Sequence, residues 1–275
     1  MTQPNPMEDP ARRFDRFERL VGPKALERLR CSHVLVVGLG GVGSWAAEAV
    51  ARSGVGRLSV VDFDTVCIRN FNRQLQALSG CIGKPKAPLL AERLRLANPE
   101  ADIRGIQAFF DKKTCETLLA EQPDFVVDAI DHVTSKCLLI KTCKDRGIPM
   151  VVSTGSGGRL DPSRVRLADL SRTEVDPLAH ALRGILRKKH GFPLRGPFGV
   201  LAAYSPEKPL PPHEGFSPND CKARCLCPQG SNGLQDCGKK HLVVGTAAFV
   251  TGAFGLLCAS AAIRTLIGQD PLQEG

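Results

Sequence analysis

The chain has 275 residues, 43% hydrophobic and 24% charged, enough apolar material for one substantial core and too much for a disordered chain. Lys and Arg outnumber Asp and Glu by 37 to 28, a formal charge of +9, which favours an anionic partner such as RNA, a nucleotide or an acidic protein without choosing among them. The first thirty residues are polar and charged with no apolar signal core, so the eleven cysteines are expected to be free thiols in a reducing, cytoplasmic setting rather than a disulfide scaffold.

In chain order, residues 1–11 read as a disordered lead. Arg12 to Arg30 reads as helical, with Pro23 opening a helix. The apolar run Ser32 to Val37 (SHVLVV) is a strand that meets a glycine cluster, after which Val42, Trp45, Ala46, Ala49 and Val50 fall at helical spacing. A second strand, Leu58 to Val61, ends in Asp62. Strand, glycine turn, helix and strand open a right-handed βαβ unit. Helices over Pro88 to Ala97 and Val133 to Arg146 then alternate with strands at Asp102 to Gln107, Phe125 to Ile130 and Ile148 to Val152. This alternation predicts an α/β, Rossmann-like fold, a mainly parallel sheet with helices on both faces. Residues 190–240, rich in Pro, Gly and Cys, read as an irregular insertion. The uncharged run Leu242 to Ile263 is expected to be a buried strand followed by a core or interface helix, since its Gly, Ala, Ser and Thr make it a poor membrane span. No membrane partner is expected.

The turn contains Gly38, Gly40, Gly41 and Gly43. Glycines there allow backbone to approach a phosphate closely and aim the free amides of a helix N-terminus at it. Asp62 closes the next strand, where a carboxylate can accept hydrogen bonds from ribose hydroxyls. The glycine spacing alone does not separate NAD from ATP. Asn70, Arg73, Gln74 and Lys86 follow within 25 residues, in VVDFDTVCIRNFNRQ and GKPKA. Hydride transfer has no need of cations there, whereas nucleotidyl transfer builds charge on the α-phosphate and on departing pyrophosphate. The residues therefore favour ATP.

GLGGVGS, VVDFD, NFNRQ, GKPKA and VVDAIDHVTSK, in this order and spacing, resemble the ATP-binding domain of the ubiquitin-activating-enzyme-like family, which includes the molybdopterin- and thiamine-pathway adenylyltransferases. The resemblance implies adenylation of a carboxylate with Mg-ATP. By motif, Asp62 with Asp64 would lie on the ribose side, Arg73 and Lys86 on the phosphates, with Asn70 orienting them and Gln74 beside them. Asp131 would help hold magnesium. In homodimers of the family an N-terminal Arg reaches the partner's ATP; Arg16 matches best and Arg19 is its neighbour.

Beyond residue 150, VVSTGSGGRLDPSRVRLADLSRT, DPLAHALR and YSPEKP extend the likeness to about residues 12–268 and resemble the branch that dehydrates threonylcarbamoyladenosine in tRNA. The whole span 12–268 is then expected to form one adenylating domain, with an ATP core over about 30–155 and a substrate and dimer region over about 156–268. This branch implies ATP-dependent ring closure beside the anticodon, with a tRNA substrate and a homodimer. A sulfur-transfer protein is a further candidate partner. The alternative is activation of the C-terminus of a ubiquitin-like sulfur carrier, against which the lack of paired C-x-x-C motifs and the basic balance weigh.

Two features stand outside those motifs. Cys221, Cys225, Cys227 and Cys237 cluster in a Pro/Gly-rich stretch, with spacing irregular for zinc. A metal site stands there beside free or redox-active thiols, with Cys237 near Lys239 and Lys240 the reactive candidate. Arg183, Arg187, Lys188, Lys189, His190 and Arg195 could contact RNA phosphates or form a solvated helix face.

Overall fold

The computed structural model describes residues 12–213 and 244–273. The helical lead divides at Gly22, whose φ of 85° ends α1 (Asp15–Val21) and lets Pro23 open α2 (Pro23–Cys31). Then come β1 (His33–Val37), α3 (Gly43–Ala51), β2 (Arg57–Val61), α4 (Lys86–Ala97), β3 (Asp102–Ile106) and the short α5 (Cys115–Leu118). They are followed by β4 (Phe125–Asp128), α6 (Val133–Arg146), β5 (Met150–Ser153), β6 (Arg166–Asp169), α7 (Pro177–Lys189), β7 (Leu201–Tyr204) and α8 (Ala248–Leu266).

The seven strands form one sheet in the order β3-β2-β1-β4-β5-β7-β6, parallel except for β6 on the edge. Alternate residues of each strand feed two cores. Val34, Val36, Leu58, Val60 and Val127 pack beneath α3, α4 and α8, while Leu35, Val37, Val61, Val126 and Val152 pack beneath α6 and α7. Burial on both faces explains why the strands read as continuous apolar runs. The chain passes from β1 outward to β2 and β3, then crosses back to β4 on the other side of β1. That reversal opens a crevice at the carboxyl ends of β1 and β4, the place where open α/β sheets bind ligands.

Two sequence expectations need correction. Residues 201–204, inside the stretch read as irregular, form β7, because the gap between β5 and β6 supplies a partner on each side. LAAY is too short and too small in side chain to declare this locally. No strand precedes the last helix among the described residues: 244–247 has no regular structure, and Gly245 spends its carbonyl on Gly158 at 2.8 Å. Leu242 and Val243 lie outside the described residues, as do residues 1–11 and the cluster Cys221, Cys225, Cys227 and Cys237.

The helix expected in that run is α8, which is long and apolar enough to cross a membrane by length and composition. It lies along α3 and is buried through Val250, Phe254, Cys258 and Ala262. Glycine makes the crossing close: a Cβ at Gly255 would sit 2.5 Å from the Val42 carbonyl oxygen. The seven cysteines among the described residues are all free thiols. Burial pushes Cys137 up to about 11, and Cys143 and Cys258 up to about 12, which makes them core residues rather than nucleophiles.

Candidate functional site

The glycine turn leaves β1 at the crevice. Gly38 takes φ +90°, and a Cβ there would stand 2.7 Å from the Ala129 carbonyl oxygen, where β4 ends. A Cβ at Gly43 would stand 1.8 Å from the Gly38 carbonyl oxygen. These two glycines are demanded by the turn itself. Gly41 faces the Arg73 side chain and Thr251 at 3.0 Å, whereas Gly40 faces open space. Gly40 is therefore the position of this turn where a Cβ would meet no other protein atom. The amides of this turn open α3, so the helix end is suited to an anion.

Asp62 lies at the end of β2 and is largely committed to the turn. Its Oδ2 accepts from the Leu39 amide at 2.6 Å and its Oδ1 from the Asp64 amide at 2.8 Å. Burial pushes its carboxyl above the usual carboxylate range, while the nearby Lys86 ammonium and the two amides pull it back. Lys86, the first residue of α4, is buried and donates to Asp64 Oδ2 at 3.0 Å. The Lys86 amide also donates to the Asp64 carbonyl at 3.0 Å. Asp62, Asp64 and Lys86 thus form one charged group beneath the glycine turn.

The NFNRQ segment folds over the opposite lip. Asn70 Oδ1 accepts from the Cys67 amide at 2.9 Å and caps the 3-10 turn Ile68–Asn70. Asn72 Nδ2 bonds the Thr246 carbonyl at 2.9 Å, and the Trp45 indole donates to the Arg73 carbonyl at 3.1 Å. These bonds hold Arg73 across Gly41, where its guanidinium donates to the Arg69 carbonyl and to Asn72 Oδ1. Burial lowers its pKa, and the negative charge of Asp131 opposes that fall; Asp131 itself is exposed in the turn between β4 and α6. Gln74 Oε1 and Gln76 Oε1 are buried with no hydrogen-bond partner among the described residues. Gln76 Nε2 also donates to the Leu39 carbonyl, at 2.7 Å.

The structure thus brings together Gly38, Gly40, Gly41, Gly43, Asp62, Asp64, Asn70, Arg73, Gln74, Lys86 and Asp131. It does not bring Arg16 or Arg19 to them. Both are exposed on α1, and Arg19 pairs with Asp15 of its own helix at 3.1 Å. α1 borders Ala49 and Ser53, at the end of α3 remote from the glycine turn.

The basic stretch also lies away from the crevice. α7 starts at the carboxyl end of β5, where Asp176 meets Thr154 and Gly155. Its cationic last turn is therefore about 20 Å away, at ~1.5 Å per residue. There Arg187 covers the Phe198 ring at 5.2 Å, while Arg183, in the middle of the helix, bonds Thr173. Lys188, Lys189 and Arg195 are exposed. The solvated-face reading fits Lys188 and Lys189, and the two arginines are held by intramolecular contacts.

Two constellations escaped the sequence reading. Asp128 ends β4 and is fully buried with Lys136 of α6 at 2.9 Å. The visible signal was a lysine on the face of α6 that also carries Cys137, Ile140 and Cys143. The second is Arg159 with Asp176, a buried pair at 2.9 Å. Asp176 also accepts from Thr154 Oγ1 and the Gly155 amide and caps α7 through the Ala179 amide. Arg159 donates to the carbonyls of Gly155, Gly157 and Glu207. The loop after β5 is thereby tied to the segment after β7, and Gly158 ties it to Gly245.

Comparison with known proteins identifies a family. The model of the ThiF family matches residues 14–274. A tRNA threonylcarbamoyladenosine dehydratase of Haemophilus influenzae is 39% identical over 260 residues, covering 93% of each chain. One of Bacillus subtilis is 43% identical over 197 residues, 72% of this chain and 76% of the relative. The crystal structure of Escherichia coli tRNA N6-threonylcarbamoyladenosine dehydratase in complex with ATP superposes with a TM-score of 0.80 at 35% identity, covering 94% of this chain and 96% of that one. The chain belongs to the ThiF family.

Proposed function

We propose that this protein is an ATP-dependent tRNA threonylcarbamoyladenosine dehydratase. Arg73 against Gly41, and Lys86 grouped with Asp62 and Asp64 beneath the same turn, support the adenylation chemistry. Similarity to named dehydratases along almost the whole chain carries the choice of substrate. The threonyl carboxylate of the modified nucleoside attacks the α-phosphate of ATP, forming an acyl-adenylate and releasing pyrophosphate. The neighbouring carbamoyl group then closes a ring on the activated carbonyl and expels AMP, which carries away the oxygen of the lost water. Because both reacting groups belong to one substrate, ring closure has a high effective molarity and needs no enzyme thiol.

Gly40 and the start of α3 would admit the triphosphate, and Arg73 and Lys86 would offset the charge that grows on it. Asp62 and Asp64 would border the ribose, while Asn70 shapes the Arg73 lip and Gln74 offers a buried amide oxygen beside it. No three His, Cys, Asp or Glu side chains gather into a metal cage among the described residues. Asp131 fits a magnesium ion that takes its remaining ligands from phosphates and water, and the bound ion would neutralise phosphate charge.

We read residues 12–268 as one adenylating unit that works as a homodimer. Between α1 and α8 runs a groove of about 470 Å³ lined by Phe17, Leu20, Leu256 and Ile263, with Leu20 79% exposed. A second copy seated there would cover the exposed Leu20, and the family likeness assigns Arg16 on the same helix to the partner's ATP.

Incubation with ATP and tRNA bearing threonylcarbamoyladenosine should lower the mass of that nucleoside by one water. Lys86→Ala should reduce turnover by about 10²–10³-fold, the typical loss for a group that stabilises transition-state charge. An unchanged nucleoside mass with folded, ATP-binding wild-type protein sinks the reading.

A further inference from the structure

Asp131 is exposed at the crevice, and its position depends on a turn that begins in the core. β4 ends at Asp128, and α6 begins at Val133. Within this span the Ala129 amide bonds the Val37 carbonyl at 2.8 Å, and the Ile130 amide bonds Asp128 Oδ1 at 3.0 Å. Those bonds fix the first half of the turn. The carbonyl oxygens of residues 128 and 130 face the buried Lys136 ammonium.

Lys136 satisfies both. Its side chain is fully buried, and its ammonium donates to Asp128 Oδ1 at 2.9 Å, the Asp128 carbonyl at 3.2 Å and the Ile130 carbonyl at 2.9 Å. All three donors of the ammonium are thus spent on the residues just before Asp131. The helix geometry makes this possible: Lys136 lies in the first turn of α6, and a helical side chain leans toward the N-terminus. An apolar residue could fill the same volume without the cost of burying two charges, and such replacements are often neutral or stabilising. A fully buried ion pair is therefore poorly explained by stability alone.

We propose that Lys136, with Asp128 as its counter-charge, is a positioning residue that clamps the 128–130 turn and so fixes where Asp131 stands at the crevice. The clamp rests on the dehydratase reading for its chemical consequence and on the hydrogen bonds alone for its geometry. It acts through Asp131 and touches no substrate.

The test compares full-length wild type, Asp128→Asn and Lys136→Met/Asp128→Asn. Asp128→Asn keeps the ammonium and its two carbonyl bonds. The double variant removes both charges, so no unpaired ion is buried, but it also frees the two carbonyls. Asp128→Asn leaves the ammonium buried without its counter-charge, so it should melt below wild type, yet its kcat should stay well above that of the double variant. In the double variant, kcat should fall tenfold or more with KM for ATP little changed. Melting curves give a second readout: the extra stabilisation by ATP with magnesium over ATP alone should persist in Asp128→Asn and vanish in the double variant. If the double variant melts too low to assay, Lys136→Gln/Asp128→Asn replaces it, because the Gln side chain is one bond shorter than Lys and brings two N–H donors in place of three. An active wild type whose double variant matches Asp128→Asn in kcat and in the magnesium-dependent shift overturns the clamp. A wild type that leaves the nucleoside mass unchanged overturns the dehydratase reading instead, and the melting comparison then decides the clamp by itself.

Discussion

The four glycines of the turn illustrate how one residue type serves two purposes. Gly43 has no room for a side chain, since its Cβ would overlap the Gly38 carbonyl oxygen at 1.8 Å. Gly43→Ala should therefore destabilise the fold by on the order of 3 kcal/mol, the cost of forced backbone movement in a packed region. Gly40 has open space and a φ outside the positive region. Gly40→Ala should change stability by less than about 1 kcal/mol yet weaken ATP binding about tenfold, or ~1.4 kcal/mol. Urea denaturation and titration calorimetry separate the two effects. Equal stability losses in both variants would mean that Gly40 also serves packing. The motif named all four glycines, and only the neighbours of each reveal its role.

Among the elements, α7 depends most on tertiary context. Its N-cap, Asp176, also neutralises buried Arg159 and orders the loop after β5. Asp176→Ala removes the cap and leaves a guanidinium buried without its carboxylate, so a loss of about 3–5 kcal/mol is expected by urea denaturation. A loss of only about 1 kcal/mol, typical of a cap alone, would show that Arg159 finds another partner. The helix itself was half legible. DPLAHALR carries a family likeness, and the run that follows it is conspicuous only for its positive charge. Nothing local said that Asp176 would meet Arg159, seventeen residues earlier, or that the lysines would stand at the far end from the crevice. By contrast, α3, α6, β1 and β2 were legible nearly to the residue, because each pairs an unbroken apolar pattern with a glycine, proline or charged boundary. The two strand ends placed too late, at Ile130 and Gln107, fall where the chain turns back at the crevice.

At the scale of the whole molecule, the sheet buries charged and titratable groups at both ends. His33 opens β1 at the end remote from the crevice, with Nε2 2.9 Å from Ser59 Oγ and Nδ1 buried without a partner among the described residues. Burial lowers its pKa below the ordinary imidazole value of 6.5, reinforced by Arg57. Below that pH the unfolded chain takes up a proton that the folded chain refuses, so the unfolded state binds more protons and stability rises with pH. The contribution of His33 is thus level above 6.5 and turns unfavourable as pH falls toward its lowered folded value. Unfolding free energy should drop more steeply below pH 6.5 in wild type than in His33→Gln. Parallel slopes in urea denaturation would remove His33 from the pH response.

The sequence alone determined the Rossmann-like order of strands and helices, the glycine turn and the group of residues that gathers around it. Those features are written in short-range patterns: apolar period, turn chemistry and motif spacing. Tertiary structure decided that β7 fills the slot between β5 and β6, that Asp62 is largely spent on the Leu39 and Asp64 amides, and that Arg16 is remote from the crevice in its own chain. It also placed Asp128, Lys136, Arg159 and Asp176 in the core. Each of these rests on contacts between segments distant in sequence or on polar groups denied solvent. The cost of an unpaired buried charge then dictates the partners, and that cost exists only once the chain has folded.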